Sequence, residues 1–318
     1  MSRRRKNNHK KPILLLTFTV VIIGLVAFGI FKSVSLHKNK VNSVQADNSV
    51  AKQNPEKTHK DSDIIPGNNI IYSADKYAVP ANEVEQMLEA KYEGKDKYVF
   101  LTFDDGPSKN TSKILEILKE KGVHATFFVI GANLNEKSNE ELLKEEIEDG
   151  NAIANHTYSH DYKKLYPHNE TNVQYFMDEV NKTNDKMKEI LGDSFDTRVL
   201  RMPGGYMSRK YYKDPNLPKL NEALAKANIV NLDWDAETGD ATGQKLTVEE
   251  MVQNAGKHLN VEDHVILLMH DANAKVQTVE ALPSIIDFFK EKGYAFKVIK
   301  NSPIDKATIT EESNENSK

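Results

Sequence analysis

The stretch YVFLTFDDGPSKN, residues 98–110, decides how the chain folds. Tyr98 to Phe103 is an apolar and β-branched run of the kind buried on both faces of a sheet. It ends on adjacent carboxylates, Asp104 and Asp105, before Gly106 and Pro107 break the strand and a helix begins at Ser108. Two carboxylates at the end of a buried strand are costly without partners. Either they belong to a polar turn with a helix cap, or one holds a cation while its neighbour handles a proton. Later segments favour the second account.

Beyond this stretch, strand and helix character alternate. Strands are expected at Ala125–Ile130, Ala152–Asn155, Thr197–Arg201, Ile229–Trp234, Val265–Met269 and Tyr294–Ile299. Helical periodicity covers Ser112–Glu120, Glu140–Asp149, Asn169–Leu191, Leu217–Ala227 and Val279–Lys292. Thr247 with Glu250 forms a capping-box signature for a helix reaching Leu259, and a weaker helical pattern covers 75–94. About seven strands between helices predict a parallel sheet covered on both faces. Asp104, His156, Arg201, Asp240 and His270 each follow a strand. Polar residues at five strand ends predict a distorted (β/α) barrel, because an open doubly wound sheet gathers its site at one switch point.

The 318 residues include no cysteine, which excludes disulfides, thiolate nucleophiles and Cys-based metal sites. The first eleven residues carry six cations and no acid, and Ile13–Phe31 follows with 19 uncharged, largely apolar residues. A helix of that length just crosses a bilayer core, and the flanking charge places the N-terminus in the cytoplasm. A single-pass cell-membrane protein with an extracellular domain is therefore expected. The small-residue pattern ending at Ala46 leaves cleavage and release open. The net charge of −4 includes the +6 of the first eleven residues, which leaves −10 for the remainder and argues against a nucleic-acid partner. No oligomerisation signal is present, so a monomer without a protein partner is expected. The expected organisation is a basic tail (1–11), a signal-anchor (12–31), a polar linker (32–74), a catalytic domain (75–300) and a polar tail (301–318).

The chemistry gathers in four places. His156 and His160, four residues apart after a strand, can face one cation from a helical turn or a tight loop. Asp105 completes two histidines and a carboxylate, a set suited to zinc and also to cobalt, nickel, manganese or iron. Asp104 fits as the base that takes a proton from water, with Arg201 as its counter-charge. His270 fits as the acid that protonates the leaving group, held by Asp240 or by its sequence neighbour Asp271. Backbone N–H groups of Gly204, Gly205 and Tyr206 are candidates for stabilising an oxyanion. No GxSxG turn, HExxH helix or phosphate-binding loop occurs, so the set describes hydrolysis of an acyl bond by activated water.

Across residues 96–300 these segments resemble the polysaccharide deacetylases of carbohydrate esterase family four, the NodB homology domain. Thr102-Phe103-Asp104-Asp105-Gly106 matches the first motif residue for residue, and His156-Thr157 with His160 matches the second. Arg201 to Gly205 resembles the third motif, with Gly where an aromatic residue is frequent. Leu268-Met269-His270 resembles the fifth, whose Leu lines the acetyl pocket. The fourth motif departs most: Trp234 and Asp240 match, but Glu237 replaces an Asp and Ala241 replaces a groove Trp. Tyr206, Tyr211 and Tyr212 are candidates for the missing wall. The resemblance implies a seven-stranded distorted barrel, a divalent metal, usually zinc, on Asp105, His156 and His160, and removal of acetyl groups from a glycan. With a tethered extracellular domain, it further implies peptidoglycan N-acetylglucosamine as the substrate and lysozyme resistance as the role. The alternatives are another acetylated polymer (poly-N-acetylglucosamine, a chitooligosaccharide, muramic acid or xylan) or an inactive glycan-binding protein.

Overall fold

The computed structural model describes residues 59–257, 259 and 263–304. Nine strands are β1 (Ala78–Pro80), β2 (Tyr98–Gly106), β3 (Thr126–Val129), β4 (Ala152–Asn155), β5 (Val199–Leu200), β6 (Val230–Asn231), β7 (Ala236–Glu237), β8 (His264–His270) and β9 (Ala295–Lys300). The helices are α1 (Ala81–Leu88), α2 (Lys109–Lys121), α3 (Lys137–Glu148), α4 (Tyr162–Leu165), α5 (Val173–Leu191), α6 (Tyr206–Tyr211), α7 (Leu217–Lys226), α8 (Val248–Ala255) and α9 (Val276–Glu291).

Strand β2 is the hub. It pairs with β8 along Tyr98–Asp104, with β9 at Tyr98–Phe100 and with β3 at Thr102–Gly106. A strand has two edges, so β9 and β3 must share in succession the edge that β8 does not take. Every strand ladder is parallel; an isolated bridge between Ile64 and Ile71 is antiparallel. The side chains of β2 alternate between two apolar layers. Val99, Leu101 and Phe103 enter the larger core under the helices, while Phe100 joins Phe128, Ala154, Val199 and Ile266 on the other face. Thr102 and Asp104 share the parity of Phe100, so the site sits at the C-terminal end of that second layer.

The fold expectation is corrected in three respects. The sheet has nine strands, not seven. No ladder joins β6 to β7 among the described residues, so the sheet is an open, largely parallel array rather than a closed barrel. Strands β5, β6 and β7 hold two residues each, too few to carry a ladder around the ring. The third correction is the membrane. Among the described residues no helix is long and apolar enough to cross a bilayer. The 19-residue α5 is amphipathic, with Phe176, Val180 and Met187 buried and lysines on its open side. The expected spanning segment 12–31, the basic tail and the cleavage site near Ala46 lie outside the described residues. A transmembrane anchor, a membrane partner and a single-pass location therefore have no support in this fold.

Within the stretch expected as linker, Ile70, Ile71 and Ala74 are buried in the main core. Asn69 and Asn301 tie this segment to the last strand: Asn69 Nδ2 donates to the Ile153 and Ile299 carbonyls (3.0 Å each), and Asn301 N–H donates to Asn69 Oδ1 (2.8 Å).

Candidate active site and metal centre

In a regular strand Asp104 and Asp105 would point to opposite faces. Here the register against β3 slips by one residue between Asp104 and Gly106, and Asp105 takes a left-handed φ of 77°. This bulge turns Asp105 back toward the site instead of into the outer core. Asn133 Nδ2 holds the distorted backbone by donating to the carbonyls of Asp105 (2.8 Å) and Gly106 (2.9 Å). Sequence gave no signal for Asn133, which sits 28 residues away.

The histidines come from a tight loop after β4, not from a helical turn. Thr157 and His160 both have positive φ, 64° and 54°. Glu179 on α5 clamps the loop through the N–H (2.5 Å) and hydroxyl (2.6 Å) of Ser159. The ring of His156 is buried, and its Nδ1 lies 2.7 Å from the Arg201 carbonyl. A carbonyl only accepts, so Nδ1 carries the proton and Nε2 presents a lone pair. Burial pushes the His156 pKa down to about 3, against the charge of Asp105, and keeps the ring neutral.

Asp105 Oδ1 lies 3.5 Å from His156 Nε2 and 3.4 Å from His160 Nε2. The three donor atoms fall within 4.8 Å of one another. Asp105 Oδ1 is buried and has no hydrogen-bond donor among the described residues. An orphaned carboxylate oxygen facing a histidine lone pair is repulsive unless a cation sits between them. The donor set, two imidazoles and one carboxylate, fits a divalent metal such as zinc. Asp105, His156 and His160 form the metal-binding triad.

Asp104, paired with Arg201, borders the triad. Arg201 is fully buried. Its Nη1 donates to Asp104 Oδ1 and Thr102 Oγ1 (2.8 Å each), Nε donates to the Leu232 carbonyl and Nη2 to the Asp233 carbonyl (3.0 Å each). The guanidinium also stacks over Phe128 at 4.1 Å. Arg201 thus occupies one oxygen of Asp104 and leaves Oδ2 facing the triad, 3.7 Å from His156 Nε2.

His270 stands beside Asp104 on the neighbouring strand β8. It pairs in register with Asp104 across β2 and β8, so the two side chains leave the sheet on the same face. Sequence left two supports open for this histidine, and the structure selects Asp240. Asp240 Oδ1 lies 2.9 Å from His270 Nδ1, and Oδ2 accepts from His270 N–H and Thr278 Oγ1 (2.8 Å each). Burial opposes a charged imidazole. The hydrogen bond and charge of Asp240, with the charges of Asp104 and Asp105, outweigh it and hold the His270 pKa at about 9. The same contacts lower Asp240 despite its burial. Asp271 turns the other way, accepting from Thr111 Oγ1 (2.5 Å) at the start of α2. Burial raises its pKa to about 7.

The three oxyanion candidates separate. Gly205 N–H donates to the Met202 carbonyl (2.8 Å) and Tyr206 N–H to Asp233 Oδ1 (2.7 Å). Gly204 N–H has no partner among the described residues. Trp234 packs on Gly205, where a β-carbon would sit 2.9 Å from the indole. Leu268 is buried at the step of β8 level with Thr102. Glu237 and Ala241 are exposed. Of the three tyrosines proposed as a wall, Tyr206 lines a groove of ≈ 540 Å³ with Trp234, Met207 and Leu88, whereas Tyr211 and Tyr212 meet edge to face outside it.

Residues 91–218 match the family model for polysaccharide deacetylase. A peptidoglycan-N-acetylglucosamine deacetylase of Bacillus cereus is 32% identical over 227 residues, covering 69% of this chain and 75% of the relative. The chain belongs to the polysaccharide deacetylase family. Among solved structures, a Streptococcus mutans CE4 esterase superposes with a TM-score of 0.69 at 35% identity, over 76% of this chain and all of that one. The catalytic domain of a Eubacterium rectale peptidoglycan N-acetylglucosamine deacetylase gives 0.56 at 29% identity, over 65% of this chain and 89% of that one. For a polysaccharide deacetylase, this site keeps both histidines and both aspartates of the motifs that carry the resemblance. Its departures lie at the rim, at Gly204, Glu237 and Ala241.

Proposed function

We propose that this chain removes N-acetyl groups from a cell-wall glycan, with N-acetylglucosamine of peptidoglycan as the substrate. The observation that carries the reading is the register pairing of Asp104 with His270 on one face of the sheet, with Asp104 Oδ2 3.7 Å from His156 of the triad Asp105, His156 and His160. Asp105, His156 and His160 would hold a divalent cation, which would supply Lewis-acid activation of a water and of the acetyl carbonyl. Asp104 Oδ2 accepts the proton from water, while Arg201 fixes the carboxylate through Oδ1. His270 keeps Nδ1 on Asp240 and turns Nε2 to the departing nitrogen, to which it gives a proton. A pKa of about 9 keeps that ring charged at neutral pH. Gly204 N–H is the backbone donor left free for the acetyl oxygen. The choice of glycan is supported by relatives named for peptidoglycan N-acetylglucosamine deacetylation in Bacillus cereus and, at 27% identity, Listeria monocytogenes. The chain covers 44% of the Listeria protein.

The test is acetate release from purified peptidoglycan with and without added zinc, followed by mass analysis of the muropeptides. Zinc-dependent loss of one acetyl per disaccharide, mapped to glucosamine, is the expected result. Activity on an acetylated chitooligosaccharide with none on wall moves the substrate to another polymer; no release from either sinks the deacetylase reading.

A further inference from the structure

We infer that Tyr162 donates its hydroxyl to the acetyl oxygen of the substrate, as a second donor beside the Gly204 N–H. The inference rests on the deacetylase reading above. Gly204 has a φ of 77°, and a β-carbon built on it would lie 2.5 Å from the Tyr162 hydroxyl oxygen. The phenol end therefore occupies the space that a side chain at 204 would fill, against the one backbone donor of the turn that is not already committed. The Tyr162 hydroxyl has no hydrogen-bond partner among the described residues, and 44% of the residue is open to solvent. A phenol oxygen at the mouth of a site, without a partner of its own, is a donor in waiting.

The ring is positioned, not loose. It meets the metal ligand His160 edge to face at 5.3 Å and Tyr166 at 5.7 Å. Tyr166 is buried, and its hydroxyl donates to the Pro203 carbonyl at 3.1 Å. That bond ties α4 to the turn carrying Gly204, so the two donors move as one unit. Asp161 caps the start of α4 through Lys163 N–H (3.0 Å) and fixes the turn from which Tyr162 projects. An acetyl oxygen gains charge as its carbon becomes tetrahedral. A donor placed there strengthens its bond in the transition state and contributes to kcat more than to substrate binding.

The experiment compares the zinc-loaded 318-residue chain with Tyr162→Phe on an acetylated chitooligosaccharide. The affinity of both for a methylphosphonamidate of glucosamine, a tetrahedral mimic of the reacting centre, is measured by calorimetry. The expected result is a fall in kcat of about 10- to 100-fold with KM and bound zinc unchanged, and a parallel loss of affinity for the mimic. Wild-type kcat in Tyr162→Phe overturns the inference and leaves the deacetylase intact. So does a fall in kcat accompanied by lost zinc, or by unchanged affinity for the mimic, since either makes the tyrosine structural. An inactive wild-type chain overturns the inference together with the reading beneath it.

Discussion

Two carboxylate–nitrogen pairs, Asp104–Arg201 and Asp240–His270, meet where β2 and β8 run side by side, and the two pairs are built in opposite senses. In the first, the carboxylate of Asp104 is the proposed reacting group and Arg201 its support; in the second, His270 is the proposed reacting group and Asp240 its support. Arg201 is fully buried, bonded on three nitrogens and stacked on Phe128, and a guanidinium does not titrate in a protein. His270 retains 14% side-chain exposure and titrates, with its ring moved up to about 9 mainly through Asp240. The difference teaches a division of labour. On the proposed mechanism, the proton acceptor is partnered by a permanent charge, and the proton donor by a charge that tunes it.

The largest effect should come from the side with the permanent charge. Asp104→Asn keeps the shape and the bond to Arg201 but removes the proton acceptor; kcat should fall about 10³- to 10⁴-fold with bound zinc unchanged. Steady-state kinetics with metal analysis checks this, and zinc loss in the variant would show that Asp104 acts as a ligand, breaking the comparison. Asp240→Asn should act more weakly and differently. Without the Asp240 charge the His270 pKa falls toward the ordinary imidazole range, so the basic limb of the kcat/KM profile moves to lower pH. At pH 8 the loss should be about 10- to 100-fold and should shrink toward pH 6. An unmoved limb would remove Asp240 from the tuning role.

The smallest effect is on stability. A folded-state pKa near 9 lies above the unfolded imidazole value, so the His270–Asp240 pair contributes fully below about pH 6.5 and loses that contribution as pH rises through 9. Asp240 is lowered, so its share is lost at the acid end, as pH falls. The Tm gap between metal-free wild type and Asp240→Asn should therefore be widest near pH 6 and narrow by pH 10. A flat gap would mean that only packing was lost.

Much of this site was legible because its residues stand at strand ends, where an apolar run stops on a polar residue. Asp104, His156 and His270 follow that rule, and the Thr247 capping box forms with both of its bonds. The rest depends on contacts far apart in the chain. Which N–H in the Gly204–Tyr206 turn is free depends on Asp233, 27 residues on. The choice between Asp240 and Asp271 depends on where α2 places Thr111. The three-residue β1 is too short to show a period, and the polar segment before it is held by the paired asparagines 69 and 301. The sheet stays open because three strands are two residues long, a count that loop geometry sets and composition does not.

The bulge at Asp105 acts as a parity switch. A regular strand sorts side chains odd from even, so neighbours can never serve the same face. One extra residue flips the count, and two adjacent aspartates become co-workers: the proposed base anchored from behind and a ligand swung in beside it. Point substitutions at 104 or 105 change what each position does. Deleting one residue between 103 and 107 would reset the count and send one of the carboxylates into the apolar layer of Phe103 and Phe127, where no partner waits.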